Sequence, residues 1–138
     1  MLSKGASLTR VGIVYVIAFG LATGWLLWGP ATDQLWLDGF IADLIATVVV
    51  FIGSRVLHNS SCYDPYWSVL PPFLAAFWTI AATDPAVSDT RTLLVLIVIA
   101  VWAIRLTANW LQDWPGLHHE DWRYPGVRGT GRFEAFND

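Results

Sequence analysis

Arg105, Asn109 and Asp113 recur every four residues at the end of a stretch that is otherwise apolar from Leu93 to Leu111. On an α-helix this spacing puts a guanidinium, an amide and a carboxylate on one face. A guanidinium offers a planar fork to phosphate, while amide and carboxylate groups suit ribose hydroxyls or a carboxamide. The expected ligand is anionic and hydroxyl-rich. Pro115 and Gly116 stop the helix, and Glu120, Asp121, Arg123, Tyr124 and Arg128 follow at high density. Arg123 and Arg128 are spaced to grip a pair of phosphates. Upstream, Asp64 stands just before Pro65-Tyr66-Trp67. It is placed either to cap the following helix or to act as an acid in an apolar cavity, where a carboxyl holds and donates a proton more readily.

Each group also has a plainer role. Arg105 alone looks like a side chain snorkelling from a membrane helix end, and its alignment with Asn109 and Asp113 is what argues for a site. The 120–124 block also reads as a solvated segment at the membrane surface, its charges paired with one another and with headgroups. His118 and His119 beside Glu120 do not make a metal site, because adjacent side chains diverge and no HExxH pattern is present. The run Gly126-Val127-Arg128-Gly129-Thr130-Gly131 lacks a preceding strand and the dinucleotide fingerprint, and reads as linker. Cys62, a lone thiol, excludes an intrachain disulfide and a cysteine metal cluster.

The elements that must position these groups are membrane helices. The 138 residues are 55% hydrophobic and only 14% charged, with a mean hydropathy of +0.49 and nine tryptophans. A soluble domain of this size could not bury so much apolar surface, and indole rings favour the membrane boundary. The net charge of -3 and the scattered basic residues argue against nucleic acid. Apolar runs at about 11–28, 39–57, 66–82 and 93–111 predict an all-α membrane bundle of four transmembrane helices in one domain over 1–138, followed by a polar tail from 112 to 138. The first run is too long for a signal peptide and is read as a retained span. Pro71-Pro72 predicts an irregular start to the third run, of a kind tolerated where it lines a cavity. Asp43 interrupts the second run, near its outer interface, and receives no role. With both termini inside, Lys4, Arg10, Arg55, Arg105, Arg123, Arg128 and Arg132 collect on the cytoplasmic side and leave Arg91 outside. The 59–64 loop and the tail then share the cytoplasmic face of the cytoplasmic membrane.

Asn59-Ser60-Ser61-Cys62-Tyr63-Asp64-Pro65-Tyr66-Trp67-Ser68, then Arg105-Leu106-Thr107-Ala108-Asn109-Trp110, then Glu120-Asp121-Trp122-Arg123-Tyr124 resemble, in that order, the DUF1295 membrane proteins, a group similar to steroid 5-alpha-reductases. The resemblance covers about residues 59–136. It implies a membrane oxidoreductase in which NADPH enters from the cytosol and reduces a carbon–carbon double bond conjugated to a carbonyl in a lipid-like substrate. By that resemblance Asn109, Asp113, Arg123, Tyr124 and Arg128 hold NADPH, with Arg105 on the same helix face. Glu120 and Asp121 orient them, and Asp64 is the substrate-side acid. Members of the group continue with further membrane helices, so the chain is expected to be a fragment that lacks its C-terminal half and retains half the pocket, with a homo-oligomer as the other expected partner. Two alternatives stay open: a non-enzymatic small membrane subunit, and an isoprenylcysteine-type methyltransferase, against which the missing Arg-His-Pro-like turn counts.

Overall fold

The computed structural model describes residues 2–82 and 89–124. These form four helices, α1 (Lys4–Trp28), α2 (Leu35–Val56), α3 (Tyr66–Ala81) and α4 (Asp89–Asp113), with a short 3-10 turn (Ser60–Tyr63) before α3. Among the described residues there is no strand, and the protein is an all-α membrane bundle. α1 begins seven residues before the expected span because Ser3 caps it, its hydroxyl accepting from the Ala6 N–H at 3.2 Å. It ends at Trp28, capped by Gly29 in an extended conformation before Pro30. The turn into α2 is tied down by Asp38, which accepts from the Thr32 N–H and hydroxyl at 3.1 and 2.9 Å and also suits the positive end of the helix.

Small residues set the seam between α1 and α2. Ala18, Ala22, Ala42, Ala46 and Val50 are fully buried, and close backbone approach of this kind substitutes in lipid for a hydrophobic driving force. Gly53 belongs to the same seam, since a Cβ there would overlap the Val14 Cγ1. The outward faces are largely apolar: Val16, Ile80 and Ile104 are 75%, 84% and 69% exposed. Such surfaces are stable against hydrocarbon, not water.

α1, α2 and α4, of 25, 22 and 25 residues, are long and apolar enough to cross a membrane. α3 has 16 residues and covers about 24 Å at 1.5 Å per residue, short of a full crossing of about 30 Å. The reason lies in where it starts. Tyr66, its first residue, reaches Thr47 and Asp43 on α2, nine and thirteen residues before that helix ends at Val56. The connection over 57–65 thus doubles back alongside α2, and α3 begins partway down it. The irregular backbone expected at Pro71-Pro72 falls earlier, in the 3-10 turn. α3 runs through both prolines, which leave two helix carbonyls without N–H partners. Each proline lines a groove between α3 and α4, Pro71 one of about 490 Å³ and Pro72 one of about 350 Å³.

Candidate functional site

Buried Asn59 organises the site. Its side-chain oxygen accepts from the Ser61 N–H at 2.9 Å and so shapes the 3-10 turn. Its amide donates to the Leu117 and His119 carbonyls at 3.0 and 2.8 Å. Two neighbours extend the pairing. The Ser60 N–H donates to the Glu120 carboxylate at 2.7 Å, and the Ser61 hydroxyl accepts from the Asp121 N–H at 2.8 Å. The loop after α2 and the segment after α4, about sixty residues apart in sequence, are thereby clamped into one unit. A third strand of contacts comes from α1, where the Ser7 hydroxyl accepts from the Leu117 N–H at 3.2 Å.

The clamp assembles the charged residues. Arg123 meets Asp121 through two side-chain hydrogen bonds of 2.8 and 2.9 Å, and its own N–H donates to the same carboxylate at 2.9 Å. Tyr124 donates to Asp64 at 2.5 Å, and Arg123 lies 3.8 Å from that carboxylate. These hydrogen bonds to Arg123 hold the Asp121 carboxyl at about 2, well below the usual range, and Asp121 in turn raises the Arg123 guanidinium. Burial raises the Asp64 carboxyl, partly offset by Tyr124 and Arg123. Burial and the bond to Asp64 raise the Tyr124 phenol. Asp64 therefore does not cap α3, where Pro65 takes the N-cap position; it anchors Tyr124.

Asp64, Glu120, Asp121, Arg123 and Tyr124 are brought together. Arg105, Asn109 and Asp113 are not. All three are exposed and have no hydrogen-bond or ion-pair partner among the described residues. The packed face of α4 carries Ala103, Thr107 and Trp110, with Trp114 just past its end on the same side and Thr107 bonded to Ser68 of α3 at 2.9 Å. At 3.6 residues per turn the polar stripe lies roughly 130° around the helix from that face. Arg128, with the glycine-rich run around it, lies outside the described residues.

A second polar group sits within the bundle. The Tyr66 hydroxyl, on a fully buried ring, donates to the Asp43 carboxylate at 2.9 Å, and Thr47 lies 3.0 Å from Tyr66 and 3.1 Å from Asp43. Asp43 is eight residues into α2, about 12 Å from its start, so it lies at hydrocarbon depth. Tyr63 stacks on Tyr66 at 5.1 Å and joins this group to the clamp. The sequence contains a signal for it, a carboxyl inside a membrane run, which by default marks function. Its partner is invisible in sequence because Tyr66 comes from the next helix. Among the described residues no three His, Cys, Asp or Glu side chains are arranged to hold a metal ion.

A family model described as protein of unknown function (DUF1295) matches residues 50–135, which include both halves of the clamp. The chain is also 30% identical over 122 residues to pyrophosphate-energized membrane proton pump 3 of Arabidopsis thaliana. That match covers 87% of this chain but 15% of the pump, so the chain spans about one seventh of that relative's length. No solved structure matches the chain.

Proposed function

The chain belongs to the DUF1295 family, and from that premise we propose that it is a membrane reductase component that binds NADPH at the clamped end of its bundle. Asn59's bridge supports the reading most directly, because it sets a charged cluster beside a carboxyl and phenol embedded in the bundle. The donor set fits the ligand in a divided way. Asp64, Glu120 and Asp121 outnumber Arg123, so the cluster suits ribose hydroxyls and a carboxamide better than phosphate. The diphosphate falls to Arg105, which has no ion-pair partner among the described residues and shares a helix face with Asn109 and Asp113, and to Arg128.

NADPH, when bound, supplies a hydride for the β carbon of a conjugated double bond. The chain's own residues do the rest. Asp121 and Asp64 hold Arg123 and Tyr124 in place. Tyr66 and Thr47 carry hydroxyl protons against Asp43, and turning the Tyr66 donor from Asp43 to a substrate carbonyl puts it where enolate charge develops. In this reading Asp64 is a positioning residue and Asp43 takes the substrate-side role. The grooves beside Pro71 and Pro72 suit a lipid-like substrate arriving from the bilayer. Both termini are assigned to the cytoplasmic side, where NADPH is available.

Titration of the detergent-solubilised protein with NADPH tests the proposal. Saturable enhancement of NADPH fluorescence, lost in Arg123→Ala, supports it, and the absence of saturable binding rejects it. Should S-adenosylmethionine bind instead, the methyltransferase reading takes over; binding of neither leaves a membrane subunit. The pump relative and the embedded Asp43 favour a second reading, in which the chain carries protons through Asp43 and responds to pyrophosphate. Binding of inorganic pyrophosphate with no response to NADPH would select it.

A further inference from the structure

Arg10, His58 and His118 come from three separate segments and line one surface pocket of about 300 Å³, between apolar walls that include Leu2, Val56 and Leu117. Among the described residues no carboxylate lines it, and none of the three basic side chains has a hydrogen-bond or ion-pair partner. Arg10 is charged at any physiological pH, and each imidazole offers an N–H donor in either protonation state. The pocket is also held in shape. Asn59, next to His58, binds the carbonyls on both sides of His118, and the Ser7 hydroxyl holds the Leu117 N–H. His58 itself adopts the left-handed backbone region at φ 50°, which a non-glycine residue rarely enters unless its surroundings impose it. Gly116 turns the chain at φ 131°, where a side chain would crowd Ser7 and His118.

We propose that this pocket binds a phosphate-bearing anion, with the guanidinium and imidazole groups on the phosphate and Leu2, Val56 and Leu117 against an attached apolar chain. The amphiphilic walls, at the ends of α1 and α2, make an anionic phospholipid headgroup the expected source; free phosphate shares the same recognition chemistry. The inference is independent of the reductase reading, since none of these three residues belongs to the charged cluster or to the Asp43 group.

The test is titration of the detergent-solubilised full chain with dioctanoyl phosphatidylglycerol, dioctanoyl phosphatidylcholine and inorganic phosphate, read by intrinsic tryptophan fluorescence. Phosphatidylglycerol is expected to bind saturably and at least tenfold more tightly than phosphatidylcholine. The Arg10→Gln/His58→Gln variant is expected to lose at least tenfold, with an unchanged circular dichroism spectrum; His118→Gln, a milder change, should lose part of the same affinity. If inorganic phosphate binds as tightly as phosphatidylglycerol and the variant loses both, the pocket is a phosphate site and the source is the free anion. Equal affinity for the two lipids with no phosphate binding, or variants that bind as well as the parent, overturns the proposal.

Discussion

Asn59 shows how one side chain ties together segments that the sequence keeps apart. It is fully buried and satisfies two carbonyls and one N–H. Asn59→Ala leaves those groups unpaired and is expected to destabilise the bundle by roughly 1–3 kcal/mol, measured by denaturant unfolding in mild detergent. Cys62, two residues into the 3-10 turn, is 1% exposed, and burial pushes its thiol up to about 12. At pH 8 the folded chain should therefore react with iodoacetamide at least roughly a hundredfold more slowly than the unfolded chain, as mass spectrometry of the labelled peptide would show. The two acids around Arg123 respond to pH with opposite sign. Asp121 is held at about 2, below its unfolded value of about 3.9. Its stabilising contribution is complete above about pH 4 and lost as pH falls towards 2. Asp64 is raised, so its contribution is present at low pH and lost as pH rises through its folded value. Thermal unfolding of Asp121→Asn should accordingly differ from the parent above pH 4 and converge with it near pH 2.

Among the elements, the α1–α2 seam carries the clearest prediction. Gly53→Ala drives a methyl group into Val14, with no flexible side-chain end to yield, and should cost roughly 1–3 kcal/mol in the same unfolding assay. The four helices were legible because long apolar runs are the strongest sequence signal there is in a membrane protein. The depth at which α3 begins was not, since hydropathy records length and says nothing of the Tyr66 contact with Asp43. Spacing showed that Arg105, Asn109 and Asp113 share a face, which α4 allows. It could not say that the packed face would be the one bearing Thr107 and Trp110. That choice is made by which residues fit α3 and the Trp114 cluster, a tertiary matter. The Glu120–Tyr124 block was legible as a dense polar motif, and Asp64 as an isolated acid. What joins them is a set of hydrogen bonds between segments about sixty residues apart, which no local pattern encodes.

At the scale of the whole molecule, one end of the bundle carries two neighbouring features of opposite character built on the same clamp. The net-acidic group of Asp64, Glu120, Asp121 and Arg123 lies to one part of it, and the basic pocket of Arg10, His58 and His118 to another. The Asp43–Tyr66 group lies within the bundle and is linked to the clamp through Tyr63. A double-mutant cycle on Asp64→Asn and Tyr124→Phe, read as the NADPH dissociation constant, tests most directly whether the clamped cluster is one binding unit. Each single change should weaken binding about tenfold, near 1.4 kcal/mol, and the pair together no more than either alone. Effects that multiply to about a hundredfold, or a parent protein with no saturable NADPH binding, would contradict the account.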